Sequence, residues 1–194
     1  MKVGIINIGG NVLSLQKILN YSGFEASILE NKNKINEYEA YILPGIGSFD
    51  NPLNRLNDLS LLDFFSQPIN FKNKILIGVC SGMQILFEES EEGKRQGLSL
   101  IAGKVKKFKN IRYKIPHMGW NYLNTNKKTF NYSNKKFYFA HSYYVECEKK
   151  FIQTYCDYDF LFPAIVRNNN IWGIQFHPEK SHLNGIQVFK DILK

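Results

Sequence analysis

The feature that most constrains this chain is a series of short, almost wholly apolar runs stopped by glycine or proline. Residues 3–8 form one and break at Gly9-Gly10, residues 26–29 form a second, Ala40–Leu43 ends at Pro44-Gly45, and Ile75–Val79 is continuous. A strand wetted on one face alternates apolar and polar residues. A strand apolar throughout is covered on both faces, as in a parallel sheet between layers of helices. Helical patterns separate the runs: Val12, Leu15, Ile18 and Leu19, closed by Gly23, and then Leu53, Leu56, Leu59, Leu62 and Phe65. The first half therefore reads as repeated strand-helix units around an open sheet.

The second half changes character. Strand-like runs occupy residues 103–108, 113–115, 136–140, 143–147, 152–156 and 163–167. Asn168-Asn169-Asn170 follows the last of them and leads into residues 171–176, which is a hairpin signal. Residues 182–193 carry Ile186, Val188, Phe189, Ile192 and Leu193 and suit a closing helix. The expected fold is α/β: an open, mostly parallel twisted sheet flanked by helices, with added antiparallel strands in the C-terminal half. A chain of 194 residues suits one core and is short for two, and no repeat or linker interrupts it, so residues 1–194 are expected to form one domain.

No run approaches the ~20 apolar residues that a membrane span needs. The opening MKVGIINIGG reads as a strand rather than a signal peptide. Three cysteines, Cys80, Cys147 and Cys156, fit a reducing cytoplasm better than a disulfide framework. The net charge is +8, and its densest cluster is Lys104, Lys106, Lys107, Lys109, Arg112 and Lys114. Val105, Phe108 and Ile111 alternate with these charges, as in a strand pair with one solvated basic face. A docking surface for an acidic partner is the other reading. No nucleic-acid module accompanies the charge.

Chemistry concentrates at three places. Gly78-Val79-Cys80-Ser81-Gly82 stands between a buried strand and the helical run of residues 83–87. It has the small-X-nucleophile-X-small form of a nucleophile elbow, in which glycines let the chain turn sharply and the thiol projects from the sheet end. A free N–H and the helix dipole there favour a thiolate. The plain alternative is a small core residue. In Gln175-Phe176-His177-Pro178-Glu179, Pro178 biases His177 toward extended backbone. His177 and Glu179 then share one side, as a base and the carboxylate that orients it; otherwise the segment is a strand ending in a polar turn. Pro44-Gly45-Ile46-Gly47-Ser48-Phe49 follows a strand and can aim backbone N–H groups of Ile46 and Gly47 inward. The N–H of Ser81 would complete an oxyanion hole. His117 and His141 have no zinc-like spacing, so both are expected to be satisfied structural histidines, and no metal or cofactor is expected.

These segments resemble the class I, triad-type glutamine amidotransferases. The shared pattern spans nearly the whole chain: the strand-Gly-Gly-Asn opening, PGIGSF, GVCSGMQ, IPHMGWN, HSYY and GIQFHPEKS. Within that family, IPHMGWN and GIQFHPEKS are most similar to the glutaminase subunits of imidazole glycerol phosphate synthases. Ser81 departs from the pattern, since the family usually has a larger apolar residue there. The resemblance implies hydrolysis of L-glutamine through a Cys80 thioester. Cys80, His177 and Glu179 would be catalytic, Ile46, Gly47 and Ser81 would form the oxyanion hole, and Gly47, Gln84, Ser142 and Tyr143 would hold glutamine. It also implies a heterodimer with a (β/α)8-barrel cyclase that receives the ammonia for histidine biosynthesis. The face carrying Asn11 is expected to contribute to docking, to cap the first helix, or both. Three other readings stay open: a paralogue feeding a surface-sugar synthase, a stand-alone cysteine hydrolase, and a non-catalytic binding module.

Overall fold

In the computed structural model, which describes residues 1–109, 111–125, 132 and 134–194, the apolar runs are strands and helices cover them. β1 (Lys2–Ile6) leads to α1 (Val12–Tyr21), β2 (Glu25–Leu29) and β3 (Ala40–Leu43). Then come α2 (Asp50–Asp58), α3 (Leu62–Phe65), β4 (Ile75–Val79) and the single turn α4 (Ser81–Gln84). β5 (Glu89–Ser90), β6 (Gly103–Lys107), β7 (His117–Asn124), β8 (Lys136–His141) and β9 (Tyr143–Cys147) follow. β10 (Ile152–Asp157), β11 (Leu161–Asn168), β12 (Ile171–Ile174) and α5 (His182–Ile192) close the chain.

The main sheet has the order β2-β1-β3-β4-β12-β11-β10-β7-β8. Neighbours from β2 to β12 run parallel, and those from β12 to β8 run antiparallel. The switch lies at β12. The Asn-rich turn folds it back on β11, and this reversal makes it parallel to β4. A smaller sheet joins β5, β6 and β9.

Strand alternation divides the core. Val3, Ile5, Ile42, Ile77 and Val79 face one cluster with Leu15, Leu19, Val188 and Phe189 from α1 and α5. Ile6, Tyr41, Leu43 and Leu76 face the other with Leu53, Leu56 and Phe65 from α2 and α3. Each such side chain contributes about 1.5–3 kcal/mol of burial, so covering both faces holds the strand ends in place.

Three expectations need correction. The helical spacing over residues 53–66 is split, because the chain turns at Ser60 (φ 56°) and the Leu61 N–H returns to the Leu56 carbonyl at 2.8 Å. Residues 113–115 are not a strand. Pro116 lacks an N–H, and pairing begins at His117. The helix after Cys80 stops at Gln84, and turns carry residues 85–87. A one-turn helix has little macrodipole, so local N–H groups rather than a long dipole face the thiol.

Lys104, Lys106 and Lys107 of the basic cluster lie on β6, which pairs with two strands rather than one, and Lys109, Arg112 and Lys114 follow it. Lys106 pairs with Glu146 and Lys109 with Glu91, each at 3.0 Å, and Arg112 pairs with Asp159. Asn11 caps α1: its Oδ1 accepts from the Ser14 N–H at 3.2 Å.

Candidate active site

The parallel strands β4 and β12 deliver two reactive groups to one place. Val79 pairs with Ile174, and the Cys80 N–H donates to the Ile174 carbonyl at 2.8 Å. Cys80 leaves β4 at φ 56° and ψ −114°, a conformation that a non-glycine residue adopts only when its surroundings impose it. Close packing imposes it here. A Cβ on Gly82 would lie 1.9 Å from the Leu43 carbonyl oxygen, and one on Gly78 would lie 2.2 Å from the Gly82 carbonyl oxygen. The elbow glycines are therefore required by backbone contact.

His177 stands just past the end of β12. Its N–H donates to the Tyr138 carbonyl at 2.8 Å, and its carbonyl accepts from Ser181 Oγ at 2.7 Å. Ser181 Oγ also accepts from the Tyr138 N–H at 3.0 Å, so the segment is pinned to β8. His177 Nδ1 lies 2.8 Å from Glu179 Oε1, and both side chains are buried. Burial disfavours the imidazolium, but hydrogen bonds to Cys80 and Glu179 and the charges of both outweigh it, raising the pKa to about 10. The second carboxylate oxygen, Glu179 Oε2, is buried and has no hydrogen-bond partner among the described residues.

A cavity of about 330 Å³ opens over the thiol, within the range of small-molecule sites. Cys80, His177, Ile46, Gly47, Ser81, Gln84, Ser142 and Tyr143 all line it, and Glu179 sits behind His177. The sequence-derived residues are thus gathered at one site. The N–H groups of Ile46 and Gly47 make no hydrogen bond with described residues, and Gly47 has φ 83°. The loop packs on the elbow: a Cβ on Gly45 would fall 2.1 Å from Ser81 Oγ. A thiol, a carboxylate-held imidazole and a rim of unpaired N–H groups together suit acyl transfer through a thioester. A larger groove of about 530 Å³ between α1 and α5 borders Glu179 but reaches neither Cys80 nor His177.

Sequence reasoning missed several residues of the site. Gln175 is fully buried, with Nε2 4.0 Å from Cys80 Sγ and Oε1 3.3 Å from Gln84 Nε2. A polar residue between an apolar strand and His177 was the available signal. Glu92 lines the cavity, and its carboxylate accepts from the Phe49 N–H at 2.9 Å. Burial pushes its pKa up despite that bond. Pro116, Met118 and Lys180 also reach the cavity, brought there by pairing of β7 with β8 and by the turn after His177.

The family model for "Glutamine amidotransferase class-I" matches residues 6–193. The chain is 42% identical to "Imidazole glycerol phosphate synthase subunit HisH 2" of Methanococcus maripaludis, covering 99% of this chain and 98% of that one. It is 39% identical to "Imidazole glycerol phosphate synthase subunit HisH" of Leptospira borgpetersenii, over 97% of this chain and 98% of that one. Among solved structures, a glutamine amidotransferase superposes with a TM-score of 0.79 at 17% identity, covering 99% of each chain. PurLQS from Thermotoga maritima superposes with a TM-score of 0.76 at 20% identity, over 99% of this chain and 97% of that one. At those identities the structures speak for the fold.

Proposed function

As the chain belongs to the class-I glutamine amidotransferase family, we propose that it is the glutaminase subunit of an imidazole glycerol phosphate synthase. The observation that carries the reading is the convergence of Cys80 and a Glu179-bound His177 in one cavity. The full-length likeness to HisH proteins supports the pathway.

The Cys80 thiolate attacks the side-chain amide carbon of L-glutamine. The N–H groups of Ile46, Gly47 and Ser81 receive the developing oxyanion. His177, held by Glu179, gives its proton to the leaving nitrogen, the C–N bond breaks and ammonia departs. The same imidazole then takes a proton from water, which attacks the γ-glutamyl thioester. Glutamate leaves and the thiol is restored. Gln84, Ser142 and Tyr143 hold the amino-acid end of glutamine, with Gly47 beside it.

Ammonia released to bulk water is protonated and lost as a nucleophile, so a partner takes it directly. That partner is a (β/α)8-barrel cyclase forming a heterodimer with this single glutaminase domain in the cytoplasm. Alternate residues of β7 support a partner near the cavity: Met118, Trp120 and Tyr122 are exposed, and Met118 also lines the cavity. Free Cys147 and Cys156 are compatible with a reducing compartment.

The test is glutamate release from glutamine with and without a purified cyclase, together with complementation of a histidine auxotroph lacking this subunit. Turnover raised by the cyclase and restored growth are expected. Cleavage of peptides without hydrolysis of glutamine would overturn the reading. Glutaminase activity without complementation would send the ammonia to another acceptor.

A further inference from the structure

His117 and His141, singled out in the sequence but unused in the chemistry above, are bound to each other. His117 Nδ1 lies 3.1 Å from His141 Nε2, and both residues are buried. His141 Nδ1 lies 2.8 Å from the Tyr143 carbonyl oxygen. A carbonyl only accepts, so His141 Nδ1 carries a proton. Nε2 of the neutral ring is then an acceptor and takes the His117 Nδ1–H. His117 Nε2 is left as an acceptor 3.4 Å from Asn121 Nδ2, and that amide also donates to the Asp157 carbonyl at 2.9 Å. Each bond fixes the next. The chain runs one way, from Asn121 through two rings to the Tyr143 carbonyl. Protonating either ring would set two N–H groups against each other. Burial keeps both rings neutral. It pushes His117 down to about 4 and, with the neighbouring His117 adding to it, His141 down to about 3.

The far end of this chain is the cavity wall. The Tyr143 carbonyl also accepts from Gln84 Nε2 at 3.1 Å, and the Ser142 carbonyl accepts from the Phe108 N–H at 3.1 Å. His117 stacks on Phe139 and Tyr158, with ring centroids 4.7 and 3.9 Å away, which fixes its plane. Volume alone does not call for histidine here, since an aliphatic or phenyl side chain fills comparable space. What histidine alone supplies at position 141 is a donor and an acceptor on opposite sides of one rigid ring.

We propose that His117 and His141 are positioning residues for glutamine recognition, a neutral Nδ1–H pair that holds the 142–143 backbone and Gln84 against the substrate. The proposal rests on the glutaminase reading above. His141→Leu keeps bulk and removes the donor, and His141→Asn keeps a donor at the δ position. With the cyclase present, the Leu variant is expected to raise KM for glutamine about tenfold, with kcat within about threefold of the unmodified chain. The Asn variant is expected to recover most of that loss. Equal behaviour of the two variants, or a fall in kcat with KM unmoved, would overturn the role.

If His141→Leu does not fold, His117→Leu against His117→Asn makes the same comparison one bond further from the cavity. The unmodified chain offers a test that needs no variant. Nitrogen-15 NMR of its four histidines should show two rings that stay neutral and Nδ1-protonated from pH 8 to pH 5. Two Nε2–H tautomers, or protonation of these rings above pH 6, would overturn the proposal. An unmodified chain that releases no glutamate from glutamine would overturn the glutaminase reading instead and leave the NMR result standing.

Discussion

His177 Nδ1 and Glu179 Oε1 stand 2.8 Å apart, with side chains only 4% and 3% exposed. Pro178 between them extends the backbone at His177 (φ −97°, ψ 98°). From there the chain does not continue extended, as the spacing predicts, but enters a 3-10 turn over Pro178–Lys180, and this turn returns the carboxylate to the ring. The pair is dry, so its hydrogen bond is not diluted by solvent and the ring has one preferred orientation.

Removing the charge from this pair tests its role. Glu179→Gln keeps the shape but cannot stabilise the imidazolium. Glutamine turnover is expected to fall by about 10²–10⁴-fold in kcat, with a much smaller change in KM. Steady-state glutamate release, alongside a melting curve to confirm folding, makes the measurement. A kcat within threefold of the unmodified chain would remove Glu179 from the mechanism.

The elbow makes a prediction about stability against activity. Cys80 is held at φ 56°, which costs a side-chain-bearing residue about 1–3 kcal/mol. Cys80→Ala and Cys80→Gly should both abolish glutaminase activity and labelling by a glutamine-mimicking electrophile, read by intact mass. Of the two, the glycine variant is expected to be more stable by about 1 kcal/mol, because glycine reaches this conformation without strain. Chemical denaturation compares them directly.

Gly82 faces the opposite constraint. An added Cβ would meet the Leu43 carbonyl oxygen at 1.9 Å, and that oxygen is fixed at the end of a central strand. Gly82→Ala is expected to destabilise the fold by about 3 kcal/mol or more. Gly9→Ala is a control for strain without overlap: its φ is 112° but no atom lies within 4 Å of the added carbon. It should cost less than Gly82→Ala in the same denaturation series.

The buried histidines set the acid side of the stability profile. His117 and His141 have pKa values lowered from 6.5 to about 4 and about 3. Below pH 6.5 the unfolded chain therefore binds protons that the folded chain refuses, and stability falls as pH drops from about 6.5 toward 4. His177 has the opposite sign. Its raised pKa adds stability that is present below 6.5 and lost as pH rises through about 10. Melting temperatures of the unmodified chain and of a His117→Asn/His141→Asn variant should converge as the pH is lowered from 7 to 5. Parallel curves would place the protonation elsewhere.

Much of this architecture was legible because its causes are local. Four apolar runs, at 3–8, 26–29, 40–43 and 75–79, each gave rise to a parallel strand. The elbow and the His177-Pro178-Glu179 segment were readable because a turn of glycines and a proline-extended step act within five residues. Failures came where a tertiary contact overrode a local pattern. Leu53 to Phe65 keeps helical spacing, yet the turn at Ser60 breaks the helix, and Leu56 and Phe65 from the two pieces join one buried cluster with Tyr41, Leu43 and Leu76.

By itself the sequence determined which segments are buried on two faces, and it marked two short motifs as candidates for a nucleophile and its base. Only the tertiary structure decided that those motifs meet. Cys80 and His177 are 97 positions apart, and nothing local to either names the other. They meet because the hairpin between β11 and β12 reverses the chain and lays β12 parallel beside β4, so both strands end at the same edge of the sheet. The burial of Gln175 beside the thiol and the bond between His117 and His141 were decided the same way, by strand pairing that joins residues far apart in the chain.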